Sequence, residues 1–167
     1  MKRSRTVATV GILGALALSL SFLESLLPSL PMTPPGFKLG LSNLPVMYAA
    51  GALGLPSALF LGLLKAGFAF FSRGFSAGIM STAGGLLSVL VTWGLWRRHS
   101  LSLSLIGVGG ALAHNAGQLC AAYFLTSASV LFYIPFLLLF GVLTGLLTGA
   151  ILRAIWPVLA RIGNFQH

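Results

Sequence analysis

Acidic side chains are almost missing from this chain: Glu24 is the only carboxylate among 167 residues, and there is no aspartate. Paired carboxylates for acid–base chemistry and aspartate-rich magnesium sites both need more than one such group. The composition therefore excludes the carboxylate-dependent mechanisms that most phosphoryl and prenyl transfer uses. Ten lysines and arginines give a formal net charge of +9, so one internal ion pair would leave positive charge over.

Cysteine and charged residues are also scarce. Cys120 is the only cysteine, which excludes an intramolecular disulfide and a thiolate metal site, and we expect it to serve in packing. No metal or cofactor is predicted. Charged residues make up 7% of the chain, against about 25% in soluble domains, and 57% of residues are hydrophobic. This composition predicts an integral membrane protein in a lipid bilayer. In such a protein the excess of basic residues reflects the orientation of the loops and does not indicate nucleic-acid binding.

Six apolar segments divide the chain, which we interpret as a single transmembrane domain over residues 1–167. They lie at about 6–27, 39–53, 55–71, 75–96, 101–125 and 130–155. The second is short and contains Pro45, so we expect it to be bent or only partly spanning. The fold predicted is an all-α bundle of about six transmembrane helices, each needing about 20 apolar residues to span.

The N-terminus imitates a signal peptide, because Lys2, Arg3 and Arg5 precede an apolar run. That run extends from about Thr6 to Leu27, which is longer than the 7–15 residues typical of a signal peptide. We therefore predict that it is retained as the first span.

Basic residues give the expected orientation. One side of the predicted bundle holds Lys2, Arg3, Arg5, Arg97, Arg98, Arg153 and Arg161, and the other holds Lys38 and Arg73. By the positive-inside rule both termini are cytoplasmic, in the plasma or bacterial inner membrane. Residues 28–36, which are rich in proline, then link the first two spans on the outside. They are either a lid over an outward-facing pocket or a connector.

Small residues recur at every fourth position on three segments. The stripes are Gly11, Ala15 and Ser19; Gly109, Ala113, Gly117 and Ala121; and Gly141, Gly145 and Gly149. Such stripes allow helix backbones to approach closely. Most are expected to serve internal packing, but one could be the docking face for a partner membrane subunit.

Charged residues converge on the outer half of the predicted bundle: Glu24, Lys38, Arg73 and, about two turns deeper, Lys65. Each intramembrane charge costs about 2.5–3.5 kcal/mol, so it needs a compensating role. A salt bridge from Glu24 to one of these cations would lock the bundle. One carboxylate neutralises only one cation, however, and the surplus favours an anionic ligand such as a carboxylate or phosphate.

The fifth segment adds a polar cluster. His114 and Gln118 are four residues apart and share a helix face, with Asn115 beside them. These groups either tie helices together, at about 0.6 kcal/mol per hydrogen bond, or contact the ligand. Their density favours ligand contact. A metal at His114 is not expected, because carboxylate and cysteine partners are missing.

Two stretches resemble those of a known family. The first joins residues 24–28 (ESLLP) to residues 35–43 (PGFKLGLSN), and the second is residues 113–119 (AHNAGQL). In order and spacing, over nearly the whole chain, they resemble the bacterial membrane family known as Gx transporter or heptaprenyl diphosphate synthase component I. That family is itself similar to the S components, the substrate-binding subunits of energy-coupling factor (ECF) vitamin transporters.

The resemblance implies a six-helix fold whose outward-facing pocket is capped by the loop after the first helix. It implies docking through that helix, at Gly11, Ala15 and Ser19, on a transmembrane coupling subunit driven by two ATPases. This chain has no Walker motif, so the ATPases would be separate chains. The residues that the resemblance assigns to the site are Glu24, Lys38, Asn43, His114, Asn115 and Gln118.

Two classes of function remain open. The first is a substrate-binding subunit for uptake of a small anionic metabolite, or a stand-alone carrier coupled to ions through Glu24 or His114. The second is a non-catalytic membrane subunit that supports polyprenyl diphosphate or quinone synthesis. Uptake requires Lys65 and the His114 cluster to face a water-accessible cavity, whereas a scaffold would leave them paired and dry. An enzyme acting alone is the weakest interpretation.

Overall fold

The computed structural model describes residues 2–26, 40–98 and 100–163, with side chains over 4–26, 40–98 and 100–157. The helices are α1 Lys2–Leu26, α2 Leu44–Ala52, α3 Leu55–Arg73, α4 Phe75–Trp96, α5 Leu103–Leu125 and α6 Ile134–Gly163. Short 3-10 turns at Leu41–Asn43 and Ala128–Tyr133 precede α2 and α6. No strand occurs in these ranges, and the predicted all-α membrane bundle is confirmed.

The helices differ in how far they can reach across a bilayer. Four regions are long and apolar enough to span it: Ser4–Leu26, Leu55–Arg73, Phe75–Trp96 and Ala128–Pro157. With 23 residues, α5 is about 35 Å long, which also exceeds the thickness of the hydrocarbon core of a bilayer. Its polar cluster makes α5 less apolar than the other four regions. The nine residues of α2 cover only part of that thickness. Pro45 stands in its first turn, where a missing N–H is tolerated, so this proline starts the helix and does not bend it.

Glycines set the spacing of α4, α5 and α6. A Cβ added to Gly117 of α5 would lie 2.6 Å from the carbonyl oxygen of Ala83 on α4. One added to Gly145 of α6 would lie 2.4 Å from the Cα of Val108 on α5. Backbone meets backbone at both places, so the small-residue stripes of α5 and α6 serve internal packing.

The edge of the bundle is formed by α1, which contacts α2, α3 and the Leu41–Asn43 turn. Its inner face is closely packed, with Ala17 and Ser21 each only 1% exposed. Its stripe of Gly11, Ala15 and Ser19 lies on the exposed side, and a Cβ added to Gly11 would meet nothing within 4 Å. The stripe on α1 therefore differs from the other two, because it does not pack inside the described bundle.

At the end of the bundle where α4 terminates, three aromatic rings close the interior. Trp156 of α6 lies 5.3 Å from Tyr48 of α2 and 5.2 Å from Trp96 of α4, measured between ring centroids. We call this the inner end and the end that holds Arg73 the outer end, following the predicted topology. Cys120, expected to be packed, is exposed on α5. That expectation was wrong because a small thiol is also compatible with a surface that faces lipid.

Candidate functional site

A cavity of about 420 Å³ lies between the helices and borders residues of all six. It extends along α4 from Ser76 near the outer end to Thr92 near the inner end, a rise of about 24 Å. The site residues predicted from the sequence that line it are Asn43, Lys65, Arg73, His114, Asn115 and Gln118. Side chains from three elements, namely the Leu41–Asn43 turn, α3 and α5, thus converge on one space.

Lys65 carries a positive charge into the interior of the bundle. It belongs to α3, is 5% exposed and borders the cavity. Its ammonium group donates a hydrogen bond to Oδ1 of Asn43, the last residue of the turn before α2. An amide oxygen offsets part of the cost of burying an ammonium group without neutralising its charge. Lys65 therefore places an ammonium group at the cavity wall.

Glu24 has neutral partners in the structure. Its Oε1 accepts a hydrogen bond from the backbone N–H of Leu41 at 2.6 Å, and its Oε2 accepts one from the Ser42 hydroxyl at 2.9 Å. The carboxylate is close enough to Arg73 for an electrostatic interaction, but Glu24 is not among the lining residues. Glu24 therefore lies behind the cavity wall and holds the Leu41–Asn43 turn against α1, and its membership of the site stays a prediction.

Glu24→Ala is expected to lower the free energy of unfolding by about 1–3 kcal/mol, because it leaves the Leu41 N–H without its acceptor. Glu24→Gln retains an acceptor oxygen and should lose less. Thermal unfolding of the ligand-free protein in lipid nanodiscs measures both. An alanine variant with wild-type stability and no ligand binding would instead place Glu24 in direct contact with the ligand.

Arg73 ends α3 at the outer end of the cavity. Its side chain is half-buried and lines the cavity, and its Nε is buried with no hydrogen-bond partner among the described residues. An unsatisfied buried donor is uncommon in native proteins and calls for an explanation. An anion in the cavity would supply the missing acceptor.

The three polar residues of α5 stand at the same cavity but differ in their contacts. Nδ2 of Asn115 donates to the Leu137 carbonyl oxygen at 2.9 Å and so ties α5 to α6. His114 and Gln118 pack against Gly84 of α4, where an added Cβ would lie 2.7 Å from the His114 carbonyl oxygen and 2.7 Å from Gln118 Cγ. Asn115 therefore links α5 to α6, while His114 and Gln118 pack against α4 and border the cavity.

The contacts of two adjacent glycines of α4 show how deep the polar residues of α3 and α5 lie in the bundle. Gly84 faces α5 at His114, and Gly85 faces α3, where its Cβ would lie 3.9 Å from the Gly62 carbonyl oxygen. Lys65 follows Gly62 by three residues, less than one helical turn. The cation on α3 and the imidazole on α5 are thus at nearly the same depth.

Two predicted features lie outside the described residues: Lys38 and the proline-rich link at 28–36. Among the described residues, no three His, Cys, Asp or Glu side chains come together as a metal site. Several hydroxyl-bearing residues that line the cavity were not among those predicted from the sequence: Ser76, Ser81, Ser88, Thr92, Thr144 and Thr148. A signal was available, because Ser81, Ser88 and Thr92 share one face of α4 at spacings of seven and four.

A family model described as heptaprenyl diphosphate synthase component I matches residues 13–155. The chain belongs to this family. The match runs from α1 into the last third of α6 and includes every described residue of the candidate site. No match was found among curated proteins or among solved structures. Family membership and the apolar helices agree on a membrane protein.

Proposed function

We propose that this protein is the substrate-binding membrane subunit of an uptake system and captures a small anionic metabolite from the outside. One observation carries the proposal: Lys65 and Arg73 line a single cavity, while the only carboxylate of the chain lies behind its wall. The cavity therefore has a cationic surplus that its lining does not neutralise. Because intramembrane charge is costly, this surplus supports a role in binding an anion.

The two cations suit complementary parts of an anion. The guanidinium of Arg73 is a planar fork that can hold a carboxylate or phosphate through two parallel hydrogen bonds. The ammonium of Lys65 is a compact charge deeper in the cavity. His114 and Gln118 add neutral groups at the level of Lys65. Uptake requires Lys65 to border a cavity, and Lys65 does border one. A scaffold subunit with a dry interior would not need such a cavity.

The energy for uptake would come from other chains. The sequence contains no Walker motif, so the proposal includes a transmembrane coupling subunit and two ATPases. The exposed stripe of Gly11, Ala15 and Ser19 on α1 is the proposed contact with the coupling subunit. It is supported by the position of α1 at the edge of the bundle and by the open space beside Gly11.

Gly11→Leu is expected to reduce uptake at least tenfold while leaving ligand binding unchanged, because the larger side chain would separate α1 from its partner. Uptake by intact cells and binding by the purified variant are the two measurements. Gly94→Leu is the matched control, since Gly94 of α4 is also exposed with nothing within 4 Å of an added Cβ. Normal uptake by the Gly11 variant would rule out this docking face.

The description of the family favours a second candidate, a non-catalytic subunit that supports polyprenyl diphosphate or quinone synthesis. Mass spectrometry of the protein after gentle membrane extraction separates the two. A stoichiometric anionic metabolite, with co-purifying ATPases, supports capture for uptake. Bulk phospholipid alone, with co-purifying prenyl or quinone enzymes, would replace it with the scaffold.

A further inference from the structure

The inner part of the cavity differs chemically from the part that holds the cations. Between the level of Gly84 and Thr92 the cavity continues for eight residues of α4, or about 12 Å. We call this the lower chamber. The residues that define it are Ser88, Val89, Thr92, Gly110, Thr144 and Thr148. None of these is charged.

Three of the four hydroxyl groups in the lower chamber, those of Ser88, Thr144 and Thr148, donate to backbone carbonyls. Ser88 donates to Gly110 at 2.8 Å, Thr144 to Phe140 at 2.8 Å and Thr148 to Gly145 at 3.1 Å. With their protons used in this way, these three side chains have no hydroxyl donor left for a ligand. The lower chamber thus suits an uncharged, weakly polar part of a ligand, whereas a polar ring would need free donors.

The cavity is elongated, because its volume of about 420 Å³ extends over about 24 Å of α4. Beyond Thr92 the rings of Tyr48, Trp96 and Trp156 pack together at the inner end of the bundle. An elongated ligand whose uncharged part lies innermost suits this shape.

We propose that the ligand is an amphipathic anion that enters chain first. Its anionic head lies at Lys65 and Arg73, and an uncharged chain occupies the lower chamber. This inference rests on the proposed function, because it assigns the chemical class of the molecule that the same cavity captures.

A homologous series of probes tests the inference. Straight-chain monoalkyl phosphates of two to twelve carbons, with inorganic phosphate as the reference, are titrated onto the protein in lipid nanodiscs, and partitioning into empty nanodiscs is subtracted. Affinity is expected to rise about three- to fourfold per methylene. The rise should stop at roughly eight to ten carbons, where an extended chain fills about 12 Å.

Substitutions that fill the chamber locate the chain. Thr144→Leu and Ser88→Leu should weaken binding of the longest probes at least tenfold and leave ethyl phosphate and inorganic phosphate unchanged. Val142→Leu is the matched control, because Val142 lies beside Thr144 in sequence but is 38% exposed on the outer face of α6. Two variants that fill the chamber are used, so that the test still stands if one of them does not fold.

The outcomes separate this inference from the proposed function. Saturable phosphate binding without a chain-length dependence overturns the inference and leaves anion capture standing. A chain-length dependence that Thr144→Leu and Ser88→Leu do not alter places the chain in the bilayer and also overturns it. No saturable binding by any probe overturns the inference, and anion capture is then decided separately by whether the extracted protein retains an anionic metabolite in the mass-spectrometry experiment.

Discussion

Lys65→Met is expected to release the bound anion from the purified protein while the bundle stays folded. Methionine keeps the length of the side chain and removes the ammonium group, which is 5% exposed at the cavity wall. Hydrogen bonds to charged groups are worth about 1.5–3 kcal/mol, so ligand affinity should fall about ten- to a hundredfold. The measurement is mass spectrometry of small molecules released from wild-type and variant protein.

Arg153→Met is the matched control for this variant. It also removes one positive charge, but Arg153 is exposed on α6 and does not line the cavity. The control should retain the metabolite at the wild-type ratio. Equal retention by the Lys65 variant would remove this lysine from the site, and equal loss by both variants would indicate a general effect of net charge.

Gly145→Ala is expected to be strongly destabilising, although it adds a single methyl group. That methyl would lie 2.4 Å from Val108 Cα and 2.8 Å from the Gly107 carbonyl oxygen. Because both neighbours are backbone atoms, α5 and α6 must separate to admit it. Overpacking of this kind costs about 1–3 kcal/mol, and more where backbone has to move. Thermal unfolding in nanodiscs measures the loss.

The same substitution at Gly94 should have the opposite sign. Nothing lies within 4 Å of a Cβ added to Gly94 in α4, so only the helix propensity changes. Alanine is favoured over glycine inside a helix by about 1 kcal/mol. Gly94→Ala should therefore be neutral or stabilising, and equal destabilisation at both positions would contradict the close packing of α5 on α6.

Some site residues could be placed from sequence because their signals are local. Lys65 interrupts an apolar run, and that alone predicts a buried cation with a special environment. His114 and Gln118 are four residues apart on one helix, which fixes their common face whatever packs against it. Both signals depend on helix geometry within one segment, and the structure places all three residues at the cavity.

Other features depend on contacts between segments and could not be predicted in this way. Among the described residues, a backbone N–H and a hydroxyl that lie 17 and 18 residues further along the chain donate to Glu24, whereas charge counting points only to the lysines and arginines. The stripe on α1 follows the same four-residue rule as the stripes on α5 and α6. The stripe on α1 differs only because α1 lies at the edge of the bundle. The spacing of small residues defines a helix face, but it does not say which helix packs against that face.

The hydrogen bonds of Glu24 give α1 a mechanical connection to the cavity. Glu24 accepts two hydrogen bonds from the Leu41–Asn43 turn, and Asn43 at the end of that turn accepts the hydrogen bond of Lys65. A displacement of α1 along its axis would pull on this turn and shift the partner of the buried cation. If the proposed anion is bound at Lys65, a force applied to α1 at the surface of the bundle would reach it through this turn.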